Sequence, residues 1–246
     1  SGGATASSPA ADAAPGAASA SGRGKGATSA MPAPADPTSW RRAVMREWRS
    51  LRTSLPPGVH VVAFAQRMDL FRVAIAGPSE TPYAHVLFVF DVQLPPDYPA
   101  SPPKLHYLSH GDRVNPNLYE NGRVCLSLLG TWSGHGVERW TAKSTLLQVV
   151  VSIQALILTA DPFFNEPGYE VERGTAKGAE SSRLYSEGAR LLTLGHVVAQ
   201  LRSPPPGCEA YVRAHYRQCG AQLVSEARAV LEQRERADAA AAAAAA

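Results

Sequence analysis

Cysteine is scarce: the 246 residues contain three, Cys125, Cys208 and Cys219, with no CxxC pair. An odd number without paired spacing argues against a disulfide framework and a structural zinc site, and suits a reducing compartment. Long hydrophobic runs are missing as well. The longest apolar stretch, Leu146–Leu158, is interrupted by Gln148, Ser152 and Gln154, whereas a bilayer span needs about 20 apolar residues. No transmembrane segment is predicted and no secretory signal is visible. Charge of one sign does not dominate, since the net charge is +3, too small a bias to indicate nucleic-acid binding. Residues 1–37 lack Leu, Ile, Val and every aromatic residue, and 30 of the 37 are Ala, Gly, Ser or Pro. Such a stretch has little to bury against the entropy of ordering and is expected to be a disordered linker. Residues 237–246, nearly all Ala, read as a poly-Ala tail opening another spacer. Because the first residue is Ser1 rather than Met, the chain reads as a fragment of a longer protein.

What remains is one folded unit of roughly 200 residues, enough to bury about 70% of its unfolded surface without staples. Trp40, Val44, Trp48, Leu51 and Leu55 recur at helical spacing and predict a helix over Thr38–Leu55, capped by Ser39 and stopped by Pro56-Pro57-Gly58. Its other side carries Arg41, Arg42, Arg46, Arg49 and Arg52, either a solvated face or a docking face for an acidic partner. Strands are predicted over Val59–Gln66, Phe71–Ala76, His85–Leu94 and Lys104–Ser109, the third half-buried. Their tight connections favour an antiparallel meander. Pro95–Pro103 holds five prolines in nine residues, so it cannot join a ladder and acts as a rigid connector, with Tyr98-Pro99 a candidate cis bond. Thr141–Leu158 predicts a central helix, and about Gly178–Leu201 and Cys208–Arg236 two more, with Pro204-Pro205-Pro206 between.

Residues 114–140 show little periodicity and form the stretch where chemistry is expected. Pro116 fixes one turn, and Asn121-Gly122 a second that brings Cys125 back towards Asn117. An amide beside a thiol in irregular backbone suits acyl transfer, the thiol carrying the acyl group and the amide orienting the loop or stabilising an oxyanion. A lone Cys between Val124 and Leu126 also fits a small core residue.

Gly77-Pro78 with Thr81-Pro82-Tyr83, Asp97-Tyr98-Pro99 with Pro102-Pro103, Asn115-Pro116-Asn117, Cys125 eight residues later and Trp140 before a helix follow one another in order. Together they resemble the catalytic domain of ubiquitin-conjugating enzymes over about residues 38–202. Asn117–Trp140 and Phe163–Tyr169 are similar to the very large hybrid conjugating enzyme/ligase class, including its plant phosphate-homeostasis branch. The resemblance implies an α+β fold: an N-terminal helix, a four-stranded antiparallel meander, a central helix and C-terminal helices, with residues 203–236 as a helical extension. It implies that Cys125 accepts ubiquitin from the activating enzyme as a thioester and passes it to a substrate lysine, with no metal and no cofactor. It places the chain in an ATP-dependent, nucleotide-binding pathway of the cytoplasm, with the cytosolic face of endomembranes and the nucleus also open to it. Built-in ligase character is implied for the full-length protein.

The resemblance also assigns roles. Asn117 stabilises the oxyanion or holds the loop. Glu166, with Asp161 as rival, orients and deprotonates the incoming lysine. Arg42, Arg46 and Arg49 contact the activating enzyme. On the residues themselves, Trp140 reads as a structural plug under the loop, Tyr119 and Leu126 flank the site and read as core packing, and Cys208 and Cys219, eleven apart near His215, miss zinc spacing and read as helix packing. His135 is either an exposed loop histidine or a proton carrier. Three departures stand out: Asn115 replaces the usual His, Ala100 replaces a bulky aromatic, and Thr141-Ala142-Lys143 replaces Ser-Pro-Ala. The last two remove the usual grip for ordinary RING or HECT ligases. A non-catalytic variant would lack the cysteine, and a cysteine hydrolase would need a paired histidine that no motif position supplies. The transferase reading further expects the Cys125 sulfur in a shallow, open groove beside Asn117.

Overall fold

A computed structural model describes residues 32–132 and 139–245; most of the expected N-terminal linker lies outside them. Helix α1 spans Pro37–Thr53. It starts earlier than the pattern suggests because Asp36, not Ser39, caps it: its carboxylate accepts from the Thr38 and Ser39 amides at 3.1 Å. Pro37 takes the first helical position, where a missing N–H costs nothing. Ser54 follows as the C-cap, ahead of Pro56-Pro57.

Strands β1 (Val59–Phe64), β2 (Arg67–Ala76), β3 (Leu87–Gln93) and β4 (Lys104–Tyr107) form one antiparallel sheet in the order β1-β2-β3-β4. The meander is as expected, with β2 longer at its start and β3 shorter at both ends. In the β2–β3 register Phe71 pairs with Val92, Val73 with Phe90 and Ile75 with Phe88, so these large side chains share one face. That face belongs to the main core, with Val44 and Leu51 from α1 and Trp48 edge-on to Phe71 at 5.8 Å.

The central helix is shorter than predicted. Helix α2 covers only Leu146–Ser152, and Ile153–Ile157 continues it as a wider π turn. Thr145 and Gln148 explain the late start: they form a reciprocal capping box, so the Gln that interrupts the apolar run is a helix-start signal. Glu47 adds a second lock. Its buried carboxylate accepts from Tyr98 Oη at 2.7 Å and from the Leu146 amide at 3.0 Å, tying α1, the proline-rich connector and α2 together. The Tyr98–Pro99 bond within that connector is cis.

Helices α3 (Ala176–Arg202) and α4 (Glu209–Ala245) complete the chain. The alanine tail, expected as a spacer, continues α4, in keeping with alanine's helix propensity. The start of α4 and the turn before it cover the second face of the sheet. Tyr211 stacks on His60 at 4.1 Å, Arg72 donates to the Pro206 carbonyl, and Ala74 and Val89 are fully buried. Strand β3 is therefore buried on both faces rather than half-buried. Leu87 shows how closely the helices are fitted. Its amide donates to Tyr216 Oη at 3.0 Å, its carbonyl accepts from Gln200 Nε2 at 2.8 Å, and Tyr216 Oη donates to Gln200 Oε1 at 2.6 Å.

Tyr216→Phe strands the buried Leu87 amide and should lower unfolding stability by about 1–3 kcal/mol. Urea unfolding followed by fluorescence measures this, and a change within error would mean that the Tyr216 hydroxyl contributes little to stability.

Candidate active site

The irregular stretch is organised by the buried side chain of Asn115. Its Oδ1 accepts from the Asn117 amide at 2.8 Å, and its Nδ2 donates to Tyr83 Oη and the Ile157 carbonyl, each at 2.8 Å. Tyr83 Oη in turn donates to the Val114 carbonyl at 3.0 Å. The Ile157 carbonyl lies at the end of the π turn, and Asn165 Nδ2 donates to it as well, at 3.2 Å. Burial drives the Tyr83 phenol well above its ordinary range, which keeps it a donor.

From Asn117 to Cys125 the chain folds into a tight hairpin. The Tyr119 amide donates to the Arg123 carbonyl and the Gly122 amide to the Tyr119 carbonyl, both at 3.0 Å, while Leu118 bridges Val124. Asn121 Oδ1 accepts from the Arg123 amide at 3.0 Å. Gly122 has φ of 84°, and a Cβ there would collide with the His106 ring, so the turn requires glycine. The hairpin docks on the sheet through the Tyr107 amide, which donates to the Gly122 carbonyl at 2.8 Å. The predicted return of Cys125 to Asn117 is thus made, twice over. The Cys125 amide donates to the Asn117 carbonyl at 2.8 Å, and Asn117 Nδ2 donates to the Cys125 carbonyl at 2.9 Å. Thr131 straddles the cysteine: its hydroxyl donates to the Val124 carbonyl at 2.7 Å and accepts from the Leu126 amide at 2.9 Å.

The open groove is not observed. Cys125 is only 3% exposed and Asn117 9%. The two residues face each other as expected, but the cysteine is buried. Among the described residues the buried Asn117 Oδ1 has no hydrogen-bond partner, so the side chain is held through Nδ2.

Glu166 caps a short 3-10 turn, Pro162–Asn165, and its Oε2 lies 3.1 Å from Arg113 Nη2. The same nitrogen donates to the Pro116 carbonyl at 2.8 Å, which brings the acid to the Asn115–Asn117 turn. Asp161, the rival, turns elsewhere: it accepts from Ser182 Oγ at 3.0 Å and faces Arg173 at 3.9 Å. Tyr119 is not a core residue. It is partly exposed, with the Arg113 guanidinium 4.3 Å and the Arg123 guanidinium 5.7 Å from its ring centre. Leu126 is buried, as expected. Trp140 Nε1 donates to the Pro99 carbonyl at 2.8 Å, with its ring tilted against Tyr98. Cys208 is buried, while His215 and Cys219 both reach the His85 carbonyl. Arg42, Arg46 and Arg49 are exposed along α1 and form no ion pair among the described residues. His135 lies outside the described residues. Sequence reasoning misses Arg113, Thr131, Glu47 and the hub role of Asn115. Of these, Glu47 leaves a local signal, an acid three residues after Val44 and four before Leu51 on the apolar stripe of α1.

A family profile described as "Ubiquitin-conjugating enzyme" matches residues 43–190. The chain belongs to the ubiquitin-conjugating enzyme family. Among curated proteins it is 50% identical over 179 residues to the putative ubiquitin-conjugating enzyme E2 38 of Arabidopsis thaliana, covering 72% of this chain and 55% of that protein. It is 46% identical over 195 residues to the probable ubiquitin-conjugating enzyme E2 24 of the same plant, covering 79% of this chain and 22% of that protein. The human dual E2 ubiquitin-conjugating enzyme/E3 ubiquitin-protein ligase BIRC6 is 45% identical over 184 residues, 71% of this chain and 4% of its own length. The chain therefore spans from about half to a small fraction of the length of these relatives.

Replacing Asn115 by Ala strands the buried Asn117 amide, at about 1–3 kcal/mol, and takes one of two hydrogen bonds each from Tyr83 Oη and the Ile157 carbonyl, besides opening a cavity. Chemical denaturation should show a loss larger than that of Tyr216→Phe, and an equal or smaller loss would remove Asn115 as the hub.

Proposed function

We propose that the chain is a ubiquitin-conjugating transferase that accepts the carboxyl terminus of ubiquitin as a thioester on Cys125 and transfers it to a substrate lysine. The observation that carries this reading is the double hydrogen-bonded pairing of Cys125 with Asn117 at the mouth of a glycine-turned hairpin, inside the span matched by the family. In the first step the Cys125 thiolate attacks the thioester on the activating enzyme, whose own thiolate leaves. ATP is consumed by that enzyme upstream. The electrophile arrives activated, so the exchange needs an accessible thiolate rather than a paired histidine. With Cys125 3% exposed, the tail gains access only when the site opens.

Asn117 holds the loop through one Nδ2 proton donated to the Cys125 carbonyl, and the second Nδ2 proton remains for an oxyanion. Glu166 receives the substrate lysine, supported by its tether to the Asn115–Asn117 turn. The exposed Arg42, Arg46 and Arg49 face offers an acidic activating enzyme a cationic docking stripe that accelerates encounter. Ala100 and Thr141–Lys143 remove the usual grip for a separate RING or HECT ligase, so substrate recognition is assigned to the full-length protein itself; one relative is named a dual E2/E3 enzyme. Three free thiols fit action in the reducing cytoplasm, the cytosolic face of endomembranes included. No helix among the described residues is long and apolar enough to cross a membrane.

Incubation with activating enzyme, ATP and ubiquitin should yield a product one ubiquitin heavier that disappears with thiol reductant and is absent in Cys125→Ala. No such band, under conditions that load a control enzyme, would overturn the assignment. Asn117→Ala should lower the unfolding midpoint as well as slow discharge to lysine, while an unchanged midpoint would assign Asn117 to the oxyanion instead. Glu166→Ala should load and then discharge slowly, and normal discharge would remove Glu166 from the transfer step.

A further inference from the structure

Arg113 lies two residues before Asn115, in the loop that leads from β4 into the site, and three independent contacts fix its side chain. Nη2 donates to the Pro116 carbonyl at 2.8 Å and to Glu166 Oε2 at 3.1 Å, and the guanidinium carbon sits 4.3 Å from the Tyr119 ring centre. One nitrogen thus joins the turn that presents Asn117 to the acid on the opposite loop. A planar guanidinium pressed on an aromatic face loses less freedom per hydrogen bond than a lysine would in the same place. The remaining carboxylate oxygen, Glu166 Oε1, makes no hydrogen bond among the described residues. The acid is therefore held by one oxygen and open at the other.

We propose that Arg113 is a positioning residue for lysine attack, fixing Glu166 over the Pro116–Asn117 turn with Oε2 anchored and Oε1 turned to the incoming amine. This rests on the reading of Glu166 as the group that receives the lysine. One ammonium proton passes to Oε1, and the neutral amine then bonds to the thioester carbonyl carbon. The carbon–sulfur bond breaks, a second nitrogen-bound proton neutralises the departing Cys125 thiolate, and Glu166 returns its proton to water. Arg113 touches no reacting atom in this sequence. Its effect is to spare the carboxylate a search through rotamers that point away from the thioester. Tyr185 of α3 lies close enough to feel both charges, Arg113 favouring its ionised form and Glu166 opposing it. Burial outweighs both and raises it to about 12, so it faces the pair as a neutral group.

The test is single-turnover discharge of the ubiquitin-loaded protein to free lysine, followed from the thioester already formed so that differences in loading drop out. Arg113→Ala should slow discharge about tenfold at low lysine, well inside the hundredfold that a small misplacement of a catalytic group can cost. The apparent KM for lysine should rise more than the maximal rate falls. Arg113→Lys, which keeps the charge and one donor, should recover part of the rate; it also carries the test if Arg113→Ala fails to fold. In a Glu166→Ala background, Arg113→Ala should cause no further slowing. Equal slowing with and without Glu166 would overturn the proposal, as would unchanged discharge in Arg113→Ala beside a slow Glu166→Ala. Normal discharge in Glu166→Ala would instead remove the reading of Glu166 itself, and this proposal with it.

Discussion

Three polar groups from separate stretches of chain, the Asn117 amide, the Tyr83 hydroxyl and the Ile157 carbonyl, converge on the side chain of Asn115 in an environment without solvent. Burying an amide there is tolerable only because each end is satisfied, since unpaired polar groups in low dielectric are heavily penalised. That requirement is directional. It admits one placement of the Asn115–Asn117 turn relative to the sheet and the π turn, and so one origin for the hairpin that carries Cys125. Glu47 acts similarly below the site, with two oxygens spent on two elements. The turn and hairpin from Asn115 to Cys125 are thus held by directional bonds as the sheet is.

With the backbone fixed, the chemistry needs few special groups. The proposed thiol exchange asks for reach and alignment, and the hairpin is braced around Cys125 by Asn117 and Thr131. Charge enters from the opposite loop, where an acid is restrained by an arginine that also grips the turn. The site is a meeting of two loops braced by buried amides and one guanidinium, and the helices behind it keep those braces in register.

Much of this was readable in the residues. The apolar stripe of α1, the meander, the rigid connector and the return of Cys125 to Asn117 follow from local spacing and turn chemistry. The departures share a cause: they depend on partners distant in sequence or on context that one residue type conceals. Gln148 interrupts a hydrophobic pattern but serves as half of a capping box. The alternation along β3 implies one wet face, yet α4, more than a hundred residues later, covers it. Arg113 looks like any loop cation until Glu166, 53 positions on, is brought beside it. The exposure of a thiol is set by what folds over it, and no spacing rule reports that. Resemblance to a family supplied Glu166 and the arginine face, which composition and periodicity alone left open.

The slight surface of Cys125 has a chemical corollary. Sulfur oxidation by peroxide proceeds on accessible thiolate and climbs through sulfenic towards irreversible acids. A cysteine 3% exposed offers such reagents almost no target between turnovers. On the proposed reading, the burial of Cys125 is thus also a shield that keeps peroxide from the acyl-carrying sulfur.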